Sequence, residues 1–178
     1  MLRGWMMLDH SILFKKKPID IFCSQQVFKA LKREFHYIFD PKFQYPGIPK
    51  INRHEISKKK FFIGDKIKVE PVEVMHYKLP VLGFRIENFA YITDAKTIDI
   101  NEKKKLKNLD LLIVNALRVK KHLSHFNLEE AISLIKELKP KKAILTHISH
   151  FMGLHNDVQS MLPKNISIGY DNQKIILN

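Results

Sequence analysis

The stretch from Lys142 to His155, Lys-Ala-Ile-Leu-Thr-His-Ile-Ser-His-Phe-Met-Gly-Leu-His, crowds three imidazoles, His147, His150 and His155, behind a short apolar run. Imidazoles at a strand end suit a divalent metal, because zinc takes neutral histidine nitrogens and carboxylate oxygens that converge on one point. Two other apolar runs stop on the same kind of residue, one at His76 and one at Asp94. Three strands that each deliver an imidazole or a carboxylate at their carboxyl ends are the arrangement expected of a hydrolytic metal centre.

The elements that would carry these residues follow from periodicity. Pro18 to Cys23 reads as a strand, and Ser24 is placed to cap a helix running to about Tyr37 with Val27, Leu31 and Phe35 on one face. Asp40 to Pro49, with Pro41, Pro46, Gly47 and Pro49, is a loop. Ile51 to Ile56 and Lys66 to His76 alternate as strands, and Pro71 marks an edge or a bulge. Val81 to Ile86 and Phe89 to Thr93 continue an antiparallel meander that ends at Asp94. Leu109 to Val114 is apolar almost throughout, which predicts a strand buried on both faces. Asn127 caps a helix over Leu128 to Leu138, with Glu129 and Glu130 in its first turn and Pro140 beyond its end. After the strand Lys142 to Thr146 a helix is expected near Met152, and Ile166 to Tyr170 with Lys174 to Leu177 is expected to close as a hairpin. An antiparallel half followed by a β-α half predicts a layered α/β sandwich.

A chain of 178 residues is one domain by length and large enough to bury a core. It shows no long apolar run and no signal-peptide pattern, so a cytoplasmic protein without membrane contact is expected. Its single cysteine, Cys23, has no partner for an internal disulfide and is expected to be a buried, inert thiol. The formal charge of +13 comes mostly from lysines clustered in turns, Lys58 to Lys60 and Lys103 to Lys105 among them. Arginine clamps and interleaved aromatics are not prominent, so solvated loop lysines are favoured over a nucleic-acid face, while an anionic substrate is attracted in either case.

Five ordered segments carry a family resemblance: Val72-Glu73-Val74-Met75-His76, Leu79 to Ile86, Phe89-Ala90-Tyr91-Ile92-Thr93-Asp94, Leu111 to Arg118 with His122 and His125, and Leu145-Thr146-His147-Ile148-Ser149-His150. Together they resemble the metallo-β-lactamase superfamily over about Lys16 to Leu177. They are most similar to the branch that holds a cyclic-phosphate phosphodiesterase and, as relatives, the tRNA 3′-end-processing endonucleases. The resemblance implies an αββα sandwich, a metal-dependent hydrolase of phosphodiester type, and two zinc or manganese ions at one edge. Carried over by position, His76 is a ligand of the first ion, Asp94 the bridging carboxylate and His147 a ligand of the second. His125 is the residue that gives a proton to the leaving oxygen, and His150 and His155 are contacts to ligands or substrate. The substrate implied is a small phosphodiester or another anionic molecule.

The chain departs from that family at its defining signature, His-x-His-x-Asp-His, which supplies four ligands and has no counterpart here. Asp9-His10 imitates its last two residues, but Trp5 and Met7 stand at the preceding histidine positions. The family continues after its signature with Gly-Leu-Asp-Asp-Val-Arg-Pro-Phe-Asn-Phe or similar, where this chain has Gly4 to Leu13. The only codons for Trp5-Met6-Met7 spell TGGATGATG, and a one-base shift reads GAT-GAT, Asp-Asp. The expectation is therefore that residues 1–14 are an out-of-frame reading and that 15–178 form a partial domain, inactive or impaired, with none of the family's two ions bound; the upstream DNA tests it. The alternative function is a non-catalytic, basic nucleic-acid-binding module.

Overall fold

A computed structural model describes residues 18–43 and 45–176. The expected out-of-frame segment, residues 1–14, and its boundary at residue 15 lie outside the described residues. The chain falls into two compact units, Met1–Ser57 and Lys58–Asn178.

In the first unit, strand β1 (Ile19–Cys23) pairs in parallel with β2 (Ile51–Glu55), Ile19 opposite Ile51 and Cys23 opposite Glu55. Helix α1 (Gln25–Glu34) starts as its cap residue predicts, the Val27 N–H donating to Ser24 Oγ at 3.3 Å. The helix does not run on to Tyr37: Phe35, at φ −119°, breaks it, and α2 (His36–Phe39) follows. The break lets Phe28, Phe35 and Phe39 all pack on the small core of Ile21, Cys23 and Leu31. Val27, expected on the inner face, is exposed. Cys23 is buried and free, and burial pushes its thiol pKa up, as expected of an inert thiol.

The second unit is a seven-stranded mixed sheet. Its strands are β3 (Phe61–Ile63), β4 (Ile67–His76), β5 (Leu79–Ile86), β6 (Phe89–Ile92), β7 (Leu111–Asn115), β8 (Lys142–Thr146) and β9 (Ile166–Ile168), adjacent in that order. β3 to β6 are antiparallel neighbours and β6 to β9 parallel ones. The change of direction follows the change of connection, from tight turns to helical crossovers. The chief crossover helix is α4 (Leu128–Leu138); α3 (Ile100–Lys104) precedes β7, and α5 (His155–Met161) leads to β9. Ala131, Leu134, Ile135 and Leu138 of α4 bury against Leu112, Val114 and Leu145 of the sheet. At about 25 cal/mol per Å² of apolar surface, this core is the main favourable term.

Pro71 produces no bulge, since β4 and β5 stay in register from Val69–Ile86 to His76–Leu79. It sits just past the end of β3, on the side of β4 where an N–H would find no strand partner. That edge is clasped instead by α3 and the residue after it: the Glu73 N–H donates to Glu102 Oε2 at 2.8 Å, and Lys105 Nζ donates to the Pro71 carbonyl at 3.0 Å. Two further expectations change. The segment after β8 forms a 3-10 turn at His150–Met152 before α5 begins at His155, later than the expected start near Met152. Ile166–Ile168 pairs in parallel with β8 rather than in a hairpin, and Lys174 to Ile176 form no strand. Residue 177, the end of the expected second arm, lies outside the described residues.

Candidate metal centre

The site sits where β4, β6 and β8 end. His76 is the last residue of β4, Asp94 comes two residues after β6, and His147 follows β8 directly. Asp94 and His147 both adopt left-handed backbone conformations, φ +56° and +58°. Such angles are uncommon outside glycine, and they turn a side chain back across a strand terminus.

The Asp94 turn is held from below. Asn115, fully buried at the end of β7, accepts from the Ala95 N–H at 2.9 Å and donates through Nδ2 to the Ala95 carbonyl at 3.0 Å. The same carbonyl accepts the Phe126 N–H at 2.8 Å, which brings the preceding residue, His125, to the carboxylate. His125 Nε2 lies 3.0 Å from Asp94 Oδ1, and His147 Nε2 lies 3.4 Å from the same oxygen. The His125 ring stacks on His147 with centroids 4.8 Å apart and meets His76 edge to face at 4.6 Å.

Ligand atoms of His76, Asp94 and His125 all lie within 4.8 Å of one another. His76 Nε2 is buried, and among the described residues nothing hydrogen-bonds to it. A buried nitrogen left with its lone pair or proton unused is costly, and an ion would satisfy it. Imidazoles with one carboxylate are a donor set that divalent metals such as zinc accept, so these residues fit a divalent cation. Burial, more than any neighbour, lowers the pKa of His125; the Asp94 carboxylate opposes the shift, while His147 and His76 add to it. His122 is lowered by burial first and by Arg118 and Lys96 next.

The structure thus brings His76, Asp94, His125 and His147 together. It does not bring His150 or His155: the first is exposed with its ring 3.9 Å from Phe151, the second exposed with its ring 6.5 Å from Tyr170. Two residues around the site have no assigned role in the sequence reading, Asn115 and His122. The signal for Asn115 is a lone amide closing an apolar strand.

Comparison with known proteins gives three findings. Residues 2–148 match the family described as Beta-lactamase superfamily domain. A curated relative from Porphyromonas gingivalis, called octanoyltransferase, is 34% identical over 163 residues, 91% of this chain but 33% of that protein. This chain therefore spans about a third of the length of the curated relative it matches. Among solved structures, a diphosphatase from the PhnP family is 28% identical with a TM-score of 0.81, over 89% of this chain and 58% of that one. Human tRNase Z, short form, shares the fold at 16% identity and a TM-score of 0.64, over 92% of this chain and 69% of that one.

Proposed function

The chain belongs to the β-lactamase superfamily, with the metallo-β-lactamase fold and the metal-dependent hydrolases of that family as its kin, and on that premise we propose that it is a phosphodiesterase-type hydrolase. The observation that carries the reading is the convergence of a buried, unbonded His76 nitrogen, the Asp94 carboxylate and two further imidazoles at one strand-end rim. The preference for phosphate esters over other substrates draws on the 28% identity to a diphosphatase.

His76 and Asp94 of that cluster would hold the cation, zinc or manganese, with His147, whose Nε2 lies 3.4 Å from the same Asp94 oxygen, as the further donor. A divalent ion there would polarise a phosphoryl oxygen and lower the pKa of a water. In its charged form His125 would give up the Nε2 proton to the departing oxygen as the ester bond breaks and be left a neutral imidazole, the step that positioned histidines commonly perform. Asp94 orients that imidazole as well as accepting from it, and burial keeps bulk water from competing for the same nitrogen.

No His-x-His-x-Asp-His run occurs in the 178 residues, and the ligands present supply fewer than three protein donors per ion for a two-metal centre. We read this chain by itself as a weak metal binder with impaired turnover. The test is metal analysis of the purified protein together with hydrolysis of bis(p-nitrophenyl) phosphate in excess manganese or zinc. Substoichiometric metal as purified and slow, metal-dependent hydrolysis that vanishes in Asp94→Ala is the expected result; hydrolysis indifferent to Asp94→Ala and to chelator would sink it.

The name of the longer relative suggests acyl transfer as a second chemistry, but acyl transfer through a covalent carrier needs a nucleophile. The only cysteine, Cys23, is buried with a raised pKa. The charge of +13 favours the nucleic-acid-binding alternative, but six lysines of the second unit, at 58, 60, 96, 103, 105 and 141, are engaged with carboxylates. Nucleic-acid affinity that falls steeply with salt and survives alanine at His76, Asp94 and His147 would favour that alternative.

A further inference from the structure

His125 has two ring nitrogens, and only one faces Asp94. A carboxylate accepts and does not donate, so Nε2 carries its hydrogen toward Asp94 Oδ1 at 3.0 Å. The other nitrogen of the neutral ring, Nδ1, is therefore a bare acceptor: Ser124 Oγ, 3.0 Å away, donates its hydrogen to it, while His122 Nδ1 stands 3.2 Å away with no hydrogen between the two rings. These two are tied to each other as well, since the Ser124 N–H donates to His122 Nδ1 and Ser124 Oγ lies at the same 3.3 Å from that nitrogen.

The loop that presents them is pinned on both sides. Arg118 donates through Nε to the Lys120 carbonyl at 3.2 Å and through Nη2 to the Lys121 carbonyl at 2.8 Å. Asn127, the cap of α4, donates through Nδ2 to the Val119 carbonyl at 3.0 Å. The backbone leading to His122 is therefore held by contacts that do not involve His125.

We infer that Ser124, anchored by its N–H on the His122 ring, forms a polar bracket that holds the His125 ring in one of its two flipped orientations, making Ser124 and His122 positioning residues for proton transfer at the hydrolytic site. A ring turned over would set the Cδ2 hydrogen against the Ser124 hydroxyl and the Cε1 hydrogen against Asp94. Both polar contacts would be lost together. Without the bracket, the Asp94 contact alone chooses between the orientations, and nothing on the far side of the ring resists rotation. The stacking of His125 on His147 does not choose, since a flat ring stacks equally well either way up.

The inference rests on the reading of His125 as proton donor, and the experiment separates the two. In saturating manganese, His122→Phe should lower kcat on bis(p-nitrophenyl) phosphate about tenfold to a hundredfold with KM little changed, the range seen when the partner that orients a reacting histidine is removed. His122→Asn, whose amide oxygen stands near the place of Nδ1, should recover most of that loss. In metal-free protein labelled with ¹⁵N histidine, long-range proton–nitrogen spectra should show His125 in a single Nε2–H form, and a mixture of forms in His122→Phe. Wild-type kcat in His122→Phe, His122→Asn as damaged as His122→Phe, or an unchanged His125 spectrum in His122→Phe each overturns the bracket. If the wild type does not hydrolyse the ester, the hydrolase reading falls and the ring spectra alone decide the bracket. If His122→Phe does not fold, Ser124→Ala takes its place in both measurements with the same expected direction.

Discussion

At the scale of single residues, the proposed reading gives the four convergent side chains separable roles. His125→Ala should lower kcat by about 10²- to 10⁴-fold, the usual worth of a positioned acid, while leaving metal content near wild type. His76→Ala should instead empty the site and lose turnover with the metal, because it removes a donor whose nitrogen has no other partner among the described residues. Metal analysis and kinetics on the two variants distinguish these outcomes. Burial lowers the pKa of both His125 and His122, so the unfolded chain binds more protons than the folded one wherever the unfolded histidines titrate. Stability is then fully present above the unfolded value of about 6.5 and is lost as pH falls below it toward the lowered folded values. Melts of chelator-treated protein should show a Tm that drops between pH 7.5 and pH 5.5, and a shallower drop in His122→Asn. At this scale the sequence points to His76, Asp94 and His147 because imidazole and carboxylate at strand ends have a chemical signature, and to His125 through the family resemblance alone. Asn115 and His122 are silent in it: their roles depend on which backbone groups and rings lie beside them, and only the folded chain brings Ala95 and His125 there.

At the scale of elements, the long apolar runs are legible because burial on both faces demands them, and β7 and β8 fall where Leu109 to Val114 and Lys142 to Thr146 predict, with β7 shifted by two residues at its start. The C-terminal hairpin was not to be had from local pattern. Alternation says that Ile166–Ile168 is extended, but β9 pairs in parallel with a strand some twenty residues earlier, and no turn signal reports that choice. Phe35 shows the opposite case, a helix broken because three phenylalanines gain a shared core by bending the backbone. Two substitutions test how the elements support the site. Gly83 in β5 faces Ile92 in β6; a Cβ there would collide with the Ile92 side chain and come within 3.0 Å of the Tyr91 carbonyl oxygen. Gly83→Ala should cost about 1–3 kcal/mol, measured by denaturant unfolding. Asn115→Ala strips the buried Ala95 N–H of its acceptor and should cost about 1–3 kcal/mol as well. Unlike Gly83→Ala, it should also weaken zinc binding in a titration, since the freed turn carries Asp94.

At the scale of the whole molecule, the charge of +13 sets the approach of ligands more than the fold. Hydrolysis of an anionic diester should lose kcat/KM as sodium chloride rises from 20 to 500 mM, roughly the range over which the screening length contracts from about 20 Å to about 4 Å; a neutral ester should not. No helix among the described residues is long and apolar enough to cross a membrane. The left-handed backbone at Asp94 and His147 has its own consequence for how such a protein changes over generations. Glycine accepts those angles without the penalty that a side chain incurs, so replacing either residue by glycine would ease the backbone by up to about 1 kcal/mol. A laboratory lineage propagated for heat tolerance alone would drift toward glycine at both positions, becoming hardier as it forgot its chemistry, and only a screen that rewards turnover would hold the two residues where they are.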